Sequence, residues 1–418
     1  MMNKVKSICI YYANIFLWLF LKAFSIKKKT RRYNAILIIP PDSWTVWGSR
    51  GDEAMLEVVI DNYKKKGKQD FIIVVSSLVK KKIPTHENCR YYYKWYSHFP
   101  IFGFLKALKR FKPCEVVILG ADCMDGYYSA LNTLTRLICI DLCYNFAVPY
   151  NIVGFSFNQN PNNLLRLPYN LVSKRIDFKL RDPISLKRFE SFTHRKAIQV
   201  ADSAFLLQPD GSLKELIDIE SKITNLRTNK GQFIVGFNFH PMLLNDVTTD
   251  NLNKVAVRIS NLLLEIITRY PNVSFVIIPH DNRDSVSDCQ ILGLIADNIY
   301  KNIIDPQRVV NINKVYHAKQ IKYITGLMDM LICSRMHLAI AALGMGIPVM
   351  TANYQGKFTG LFDLFQIPSK YILGLQEMCS HTLIDRFDEF YAEYEHIRDT
   401  VKNNKKKVLE LSSINFKN

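Results

Sequence analysis

The sequence lacks the signatures that would settle its chemistry outright. No G-x-G-x-x-G follows any of its apolar runs, which excludes the dinucleotide fingerprint, and no glycine-rich turn ends in Gly-Lys-Ser/Thr, which excludes a P-loop. Its nine cysteines show no metal-ligand spacing. Cys139 and Cys143 stand four apart on an apolar helix and the others are scattered, as for buried free thiols in a reducing cytosol. Neither a metal site nor a bound cofactor is expected. No repeat of fixed period is present. Helix-turn-helix, ribonucleoprotein and zinc-finger patterns are missing, so nucleic acid is not an expected partner. Acidic residues are also short: 37 Asp and Glu against 55 Lys and Arg, a net charge of +18. That balance calls for an anionic partner, either a membrane surface or a phosphate-bearing substrate. The excess is local, in Lys27-Lys28-Lys29, Arg31-Arg32, Lys64-Lys65-Lys66, Lys80-Lys81-Lys82 and Lys405-Lys406-Lys407.

What the sequence does have is apolar substance. Hydrophobic residues make up 48% of its 418 positions, enough for two or three cores at roughly 150 residues per domain. Ile8 to Ile26 is apolar except for Asn14, Lys22 and Ser25, and it lies between Lys4, Lys6 and the basic run 27–32. No small-residue cleavage site follows, which argues against a secretory signal. An aromatic helix lying in the membrane interface fits better than a span, since a span needs about 20 apolar residues. A helix packed on the protein's own surface is the alternative. The reading is of a cytoplasmic protein, peripheral on the inner face of the plasma membrane.

Beyond residue 33 short apolar runs alternate with helical stretches. Strands are expected at 35–40, 71–76, 116–119, 152–156, 178–180 and 199–202, then at 233–239, 274–279, 309–310, 330–333 and 348–351. Residues 208–231, with Pro209, Asp210-Gly211 and Lys230-Gly231, read as a linker. This predicts an α/β protein of two doubly wound Rossmann-like domains facing a cleft, preceded by the aromatic helix. Its parts are a membrane-associating helix and basic cluster (1–32), an N-terminal Rossmann-like domain (33–207), the linker, a C-terminal Rossmann-like domain (232–380) and C-terminal helices (381–418).

Polar residues gather at the expected strand ends. Gly48-Ser49-Arg50-Gly51-Asp52-Glu53 forms a strand-to-helix turn, with Asp52 and Glu53 in the first helical turn, where carboxylates are favoured. Asp122 follows the run 116–119, and Arg181 follows 178–180. Most telling is Cys333-Ser334-Arg335-Met336-His337, a buried strand leading into a small apolar helix that ends at Gly344 and Gly346. Arg335 and His337 fall at that helix start, where free backbone N–H groups favour an anion, and Lys357 follows the next strand. Taken singly, an arginine caps a turn and a histidine fills a core. Together at one strand end they suit an anionic substrate and a proton transfer.

In this order the residues resemble the polysaccharide pyruvyl transferase family. The pieces are Gly48-x-x-Gly51-Asp52-Glu53-Ala54, Gly120-Ala121-Asp122, Arg181-Asp182-x-x-Ser185, Ala201-Asp202, Ser334-Arg335-x-His337 and Gly346-Ile347-Pro348 leading to Tyr354-x-x-Lys357. The resemblance spans roughly 34 to 375 and implies a fold similar to the two-domain GT-B glycosyltransferases. It implies transfer of the enolpyruvyl skeleton of phosphoenolpyruvate, a co-substrate rather than a cofactor, onto a saccharide or lipid-linked oligosaccharide as a pyruvate ketal. Arg181, Arg335, His337 and Lys357 would bind the donor, with His337 as acid. Gly48, Gly51, Asp52 and Asp122 would line the acceptor side, and Asp52 or Glu53 would take the hydroxyl proton. Ser49, Ala121 and the segment after 152–156 depart from the family pattern, all in the acceptor half, so the acceptor stays open. Two other readings share the fold: a glycosyltransferase using a nucleotide-sugar, and a non-catalytic protein that binds anionic glycan or membrane.

Overall fold

The structure is a computed structural model that describes residues 2–24, 32–79, 83–95, 98–244, 246–281, 283, 287–352 and 356–417. The chain divides into two compact units. Unit 1 comprises Met1–Trp47, Met55–Ser203 and Leu411–Asn418; unit 2 comprises Gly48–Ala54 and Ala204–Glu410.

Unit 1 is built on seven strands: β1 (Tyr33–Ile39), β2 (Asp70–Ser76), β3 (Cys89–Trp95), β4 (Pro113–Ala121), β5 (Tyr150–Phe155), β6 (Lys179–Leu180) and β7 (Ile198–Gln199). They form one sheet in the order β3-β2-β1-β4-β5-β6-β7, with parallel pairing throughout. Parallel strands are covered on both faces, so their sequences are unbroken apolar runs, as in Ile36–Ile39 and Val116–Leu119. β3 was not expected, because Cys-Arg-Tyr-Tyr-Tyr-Lys-Trp is an edge strand with only Tyr92 and Trp95 buried. The helices are α1 (Met2–Ala23), α2 (Arg50–Lys65), α3 (Pro100–Phe111), α4 (Ala130–Asn145), α5 (Arg166–Leu171) and α6 (Pro183–Thr193). The first turn of α2 clusters with unit 2.

α1 is the one described helix long and apolar enough to cross a bilayer. One of its faces is spoken for. Tyr11, Ile15 and Trp18 join the core of unit 1. Asp141 of α4, fully buried, receives the Trp18 indole N–H at 2.9 Å, the Lys22 ammonium at 3.0 Å and the Ser173 backbone N–H at 2.8 Å. A buried carboxylate is tolerable only when its oxygens are filled in this way.

Unit 2 has β8 (Phe233–Phe237), β9 (Val273–Ile277), β10 (Val309–Asn311), β11 (Met330–Cys333), β12 (Val349–Ala352) and β13 (Ile372–Leu373), ordered β10-β9-β8-β11-β12-β13 and again parallel. Its helices are α7 (Lys214–Lys230), α8 (Thr249–Arg269), α9 (Cys289–Asn302), α10 (Ala318–Thr325), α11 (Met336–Met345), α12 (Phe358–Phe365), α13 (Leu375–Met378), α14 (Thr382–Ala392) and α15 (Tyr394–Ser413). The stretch 208–231 is therefore mostly helix and not an open linker. Leu216, Ile223 and Leu226 of α7 are buried at helical spacing, a sparse stripe on an otherwise charged surface.

The last residues return to unit 1. The Asn415 side chain accepts from Gly154 N at 2.7 Å and donates to Ala201 O at 2.8 Å, while Ser412 Oγ donates to Asp202 O at 2.7 Å. Gly154 has to be glycine here: a Cβ would stand 2.4 Å from Val200 Cγ2 and 3.0 Å from Asn415 Oδ1.

Asp141→Ala would leave the buried Trp18 indole N–H and the Ser173 backbone N–H without their acceptor and take away the carboxylate partner of Lys22. The expected loss is about 3 kcal/mol. It would read as a lower melting temperature together with red-shifted Trp18 emission as α1 loosens; a variant that melts like the parent would refute the role given to this carboxylate.

Candidate active site

In unit 2 the chain winds outward from β8 to β9 and β10, then crosses back to β11, β12 and β13. The strand order reverses between β8 and β11, and the crevice beyond the strand ends at such a reversal is where open α/β sheets take ligands. Three segments leave the sheet on that side, Asn238-Phe239-His240 after β8, His280-Asp281 after β9 and Ser334-Arg335 after β11, and a fourth, Gly356-Lys357, follows β12 in sequence.

Asp288 ties the first three of them together. It is fully buried. Its Oδ2 accepts the backbone N–H groups of His280 at 3.0 Å and Asp281 at 3.2 Å and the Asn238 amide at 3.1 Å. Its Oδ1 accepts Arg335 Nε at 3.0 Å and Nη2 at 2.5 Å. Burial raises its pKa above the ordinary carboxylate value, Arg335 and these hydrogen bonds pull it back part of the way, and the array of donors fits a carboxylate. Asp281 binds Arg335 Nη1 at 3.1 Å and Arg283 Nη2 at 2.6 Å. Arg335 is thus gripped by two carboxylates at the N-cap of α11, its fork fixed in plane.

Two histidines share this ground. The buried ring of His240 accepts Met242 N–H through Nδ1 at 3.3 Å, so its own proton belongs on Nε2. Burial, then the charges of Arg335, Arg283 and Lys357, push its pKa down to about 2. Burial likewise carries His280 well below the ordinary value, aided by Arg335, His337, Arg50 and His240. Both are neutral imidazoles in a cationic setting. Arg50, His280 and His337 line one small pocket, and the charge of Lys357 acts on His240.

His337 lies in the first turn of α11, and its ring covers Gly51. A Cβ on Gly51 would stand 2.2 Å from His337 Nδ1 and 2.6 Å from Cγ, so no larger residue fits without moving the imidazole. Ser49 Oγ accepts from Gly51 N at 3.2 Å and Asp52 N at 3.3 Å, starting α2. Asp52 is half-buried in that turn. Glu53 is buried, and its Oε1 pairs with His317 Nδ1 at 2.8 Å and accepts Ala318 N at 3.4 Å, at the N-terminus of α10; its Oε2 pairs with Arg50. Glu53 is therefore a strut within unit 2, joining the first turn of α2, with its Arg50, to the start of α10.

Of the residues expected from the sequence, the structure brings Gly48, Gly51, Asp52, Glu53, Arg335, His337 and Lys357 into unit 2. Arg181 and Asp122 belong to unit 1. Arg181 is buried there, with Nη1 on Asp202 Oδ2 and Nη2 on Ser156 Oγ, each at 3.0 Å. Asp122 accepts the Tyr128 hydroxyl at 3.1 Å. Tyr354 of the expected Tyr-x-x-Lys motif lies outside the described residues. Asn238, His240, Asp281 and Asp288 were not foreseen as site residues. His240 and the His280-Asp281 pair directly follow apolar runs, a signal that was available; Asp288 sits in polar loop sequence and gave none. Among the described residues, no three His, Cys, Asp or Glu side chains group as a metal site.

The arrangement offers a rigid guanidinium, a lysine, neutral imidazole N–H donors and a helix N-terminus around one crevice. Such a set receives an anion and can pass a proton to it.

A family model described as polysaccharide pyruvyl transferase matches residues 50–356. No curated protein matches the chain in sequence. Among solved structures, the S. aureus MnaA–UDP complex is similar at a TM-score of 0.53 and 12% identity, covering 88% of this chain and 90% of that one. The UDP-GlcNAc 2-epimerase from Neisseria meningitidis bound to UDP-GlcNAc is similar at a TM-score of 0.52 and 13% identity, covering 90% and 99%. At these identities the likeness establishes the fold, a two-domain α/β architecture of GT-B type.

Two outcomes test the site as drawn. His240 and His280 stay neutral when folded but take up protons when unfolded below about pH 6.5, so the unfolded chain binds more protons there. Stability should accordingly fall as pH drops below that value, by up to about 1.4 kcal/mol per pH unit for each ring. Thermal melts between pH 7.5 and 5 should show this, with a shallower fall in His240→Gln; a flat profile would contradict it. Gly51→Ala should displace the His337 ring, seen as a changed imidazole resonance and titration by NMR, whereas Gly293→Ala, with nothing near its Cβ, should change neither.

Proposed function

The chain belongs to the polysaccharide pyruvyl transferase family, and from that premise we propose that it transfers the enolpyruvyl unit of phosphoenolpyruvate to two hydroxyls of a saccharide, releasing phosphate. The product is a cyclic pyruvate ketal. The observation that carries the reading is the His337 ring, seated on Gly51 at the start of α11 beside a fixed cationic cluster.

Phosphoenolpyruvate brings a phosphate and a carboxylate. Lys357, the N-terminus of α11 and the imidazole N–H donors are suited to them, and Arg181 is taken as a further donor-binding residue on the family resemblance. Arg335, already bound by Asp281 and Asp288, supplies field and shape more than a free fork. In the first step a sugar hydroxyl adds to C2 while a proton from His337 goes to the methylene carbon, turning it into a methyl group, and the proton that the hydroxyl gives up replaces it on the imidazole. In the second, the C2–O bond to phosphate breaks, the neighbouring hydroxyl adds to C2, and its proton leaves with the phosphate. One sugar diol and one phosphoenolpyruvate thus give one ketal and one inorganic phosphate. Glu53, braced by His317 and Arg50, is better suited to holding α2 and α10 in register than to taking a proton; Asp52 is the carboxylate better left for the acceptor, with Gly48, Gly51 and Asp122. The acceptor is read as a saccharide or lipid-linked oligosaccharide, reached by a peripheral enzyme at the inner membrane face.

Ligand titration by thermal shift tests the donor. A ligand bound only by the folded state adds about 2.7 kcal/mol at one hundred times its Kd. Phosphoenolpyruvate should raise the melting temperature and UDP and CMP should not, with the rise reduced in Lys357→Ala. His337→Asn should keep the phosphoenolpyruvate shift but lose roughly 10²- to 10⁴-fold in phosphate release with acceptor present. Stabilisation by a nucleotide alone would overturn the donor assignment in favour of nucleotide-sugar chemistry.

A further inference from the structure

Helix α1 has a second face that its packing does not use. While Tyr11, Asn14, Ile15 and Trp18 are buried in unit 1, Val5, Ile8, Tyr12, Phe16, Leu19 and Phe20 are exposed. Their spacing of three, four, four, three and one places them in a single stripe along the helix. Phe16 is 74% exposed and Phe20 54%, values for side chains standing free of the surface. An apolar stripe running about 23 Å along a 22-residue helix is a binding surface rather than ordinary exterior.

Exposed apolar side chains also stand on the segments that α1 is tied to. The Asn14 amide donates to His98 O and the Tyr11 hydroxyl to Leu164 O, each at 2.8 Å. Beside those anchors Phe99, Phe102, Leu164 and Leu167 are exposed as well. Charge on the same segments has one sign. Residues 98–112 carry Lys106, Lys109, Arg110 and Lys112 and no carboxylate. Residues 158–176 carry Arg166, Lys174 and Arg175 and no carboxylate. Residues 1–32 carry Lys4, Lys6, Lys22, Lys27, Lys28, Lys29, Arg31 and Arg32, again with no carboxylate.

We propose that the outer face of α1, with the rim formed by the start of α3 and by α5, is a docking surface for an anionic lipid bilayer. Aromatic side chains on such a face enter the boundary between headgroups and acyl chains, and the surrounding cations meet lipid phosphates. A second copy of the chain would set two such cationic rims against each other, which charge disfavours. The helix lies along the surface and does not cross it, because its inner face is pinned through Trp18 and Lys22 to Asp141. The inference is independent of the donor assignment, since it uses no residue of unit 2.

Co-sedimentation of the full chain with vesicles tests it. Binding should be strong to phosphatidylglycerol–phosphatidylcholine vesicles, weak to pure phosphatidylcholine, and reduced by 1 M NaCl. The Phe16→Ser/Phe20→Ser pair should weaken binding by at least about tenfold at unchanged melting temperature, as two aromatic side chains no longer enter the apolar layer. Lys109→Glu/Arg175→Glu should erase the preference for anionic vesicles. Failure to sediment with either vesicle would overturn the proposal, as would binding that ignores both pairs of substitutions. So would a dimer, seen by light scattering and dissolved by Phe16→Ser/Phe20→Ser, in a protein that does not bind vesicles.

Discussion

The grip of Asp288 and Asp281 on Arg335 is the interaction on which the crevice of unit 2 depends. Three strand ends meet at it. Asp288 takes its remaining hydrogen bonds from Asn238 after β8 and from the backbone of His280 and Asp281 after β9, while Arg335 comes from β11. A buried ion pair of this kind contributes little net stability, because desolvation offsets most of the attraction. Its value is positional. It fixes the start of α11, and with it His337, at the point where the strand order reverses. It also sets the electrostatic tone: the guanidinium that it immobilises is among the charges that keep His240 and His280 neutral and therefore able to donate without adding charge.

Gly51 and Glu53 extend the same logic from a distant part of the sequence. The first turn of α2 supplies a flat seat for the His337 ring and a carboxylate for the N-terminus of α10, two residues apart. The spacing of the Gly-x-Glu piece is thus explained by two separate demands on one helical turn. One is steric, that no Cβ lie beneath the imidazole; the other is electrostatic, that a negative group face a helix N-terminus.

Much of this was legible beforehand, for definite reasons. Strands covered on both faces must be unbroken apolar runs, so β1, β4, β8, β9 and β11 announced themselves, and the start of α11 drew notice because Arg335 and His337 interrupt a run of apolar residues. β3 escaped because an edge strand need bury only every third residue or so, and its tyrosines alternate poorly. α7 escaped because a charged helix lying on a surface shows just Leu216, Ile223 and Leu226 of its stripe. Asp288 could not have been found by pattern: its importance comes from the place in space to which a polar loop returns. The roles expected of Arg335 and Glu53 rested on their places at helix starts and on the family resemblance, and neither reveals that each already has partners of opposite charge.

The return of Leu411–Asn418 to unit 1 has a bearing on synthesis. Asn415 and Ser412 complete the surroundings of Gly154, Ala201 and Asp202, yet they are translated after the whole of unit 2. On the ribosome unit 1 can collapse around its sheet early, but it cannot reach its finished hydrogen bonding until residues 411–418 emerge. Folding of this chain is therefore not a simple procession from one unit to the next: the first to begin is the last to be closed, and the closing piece is eight residues long.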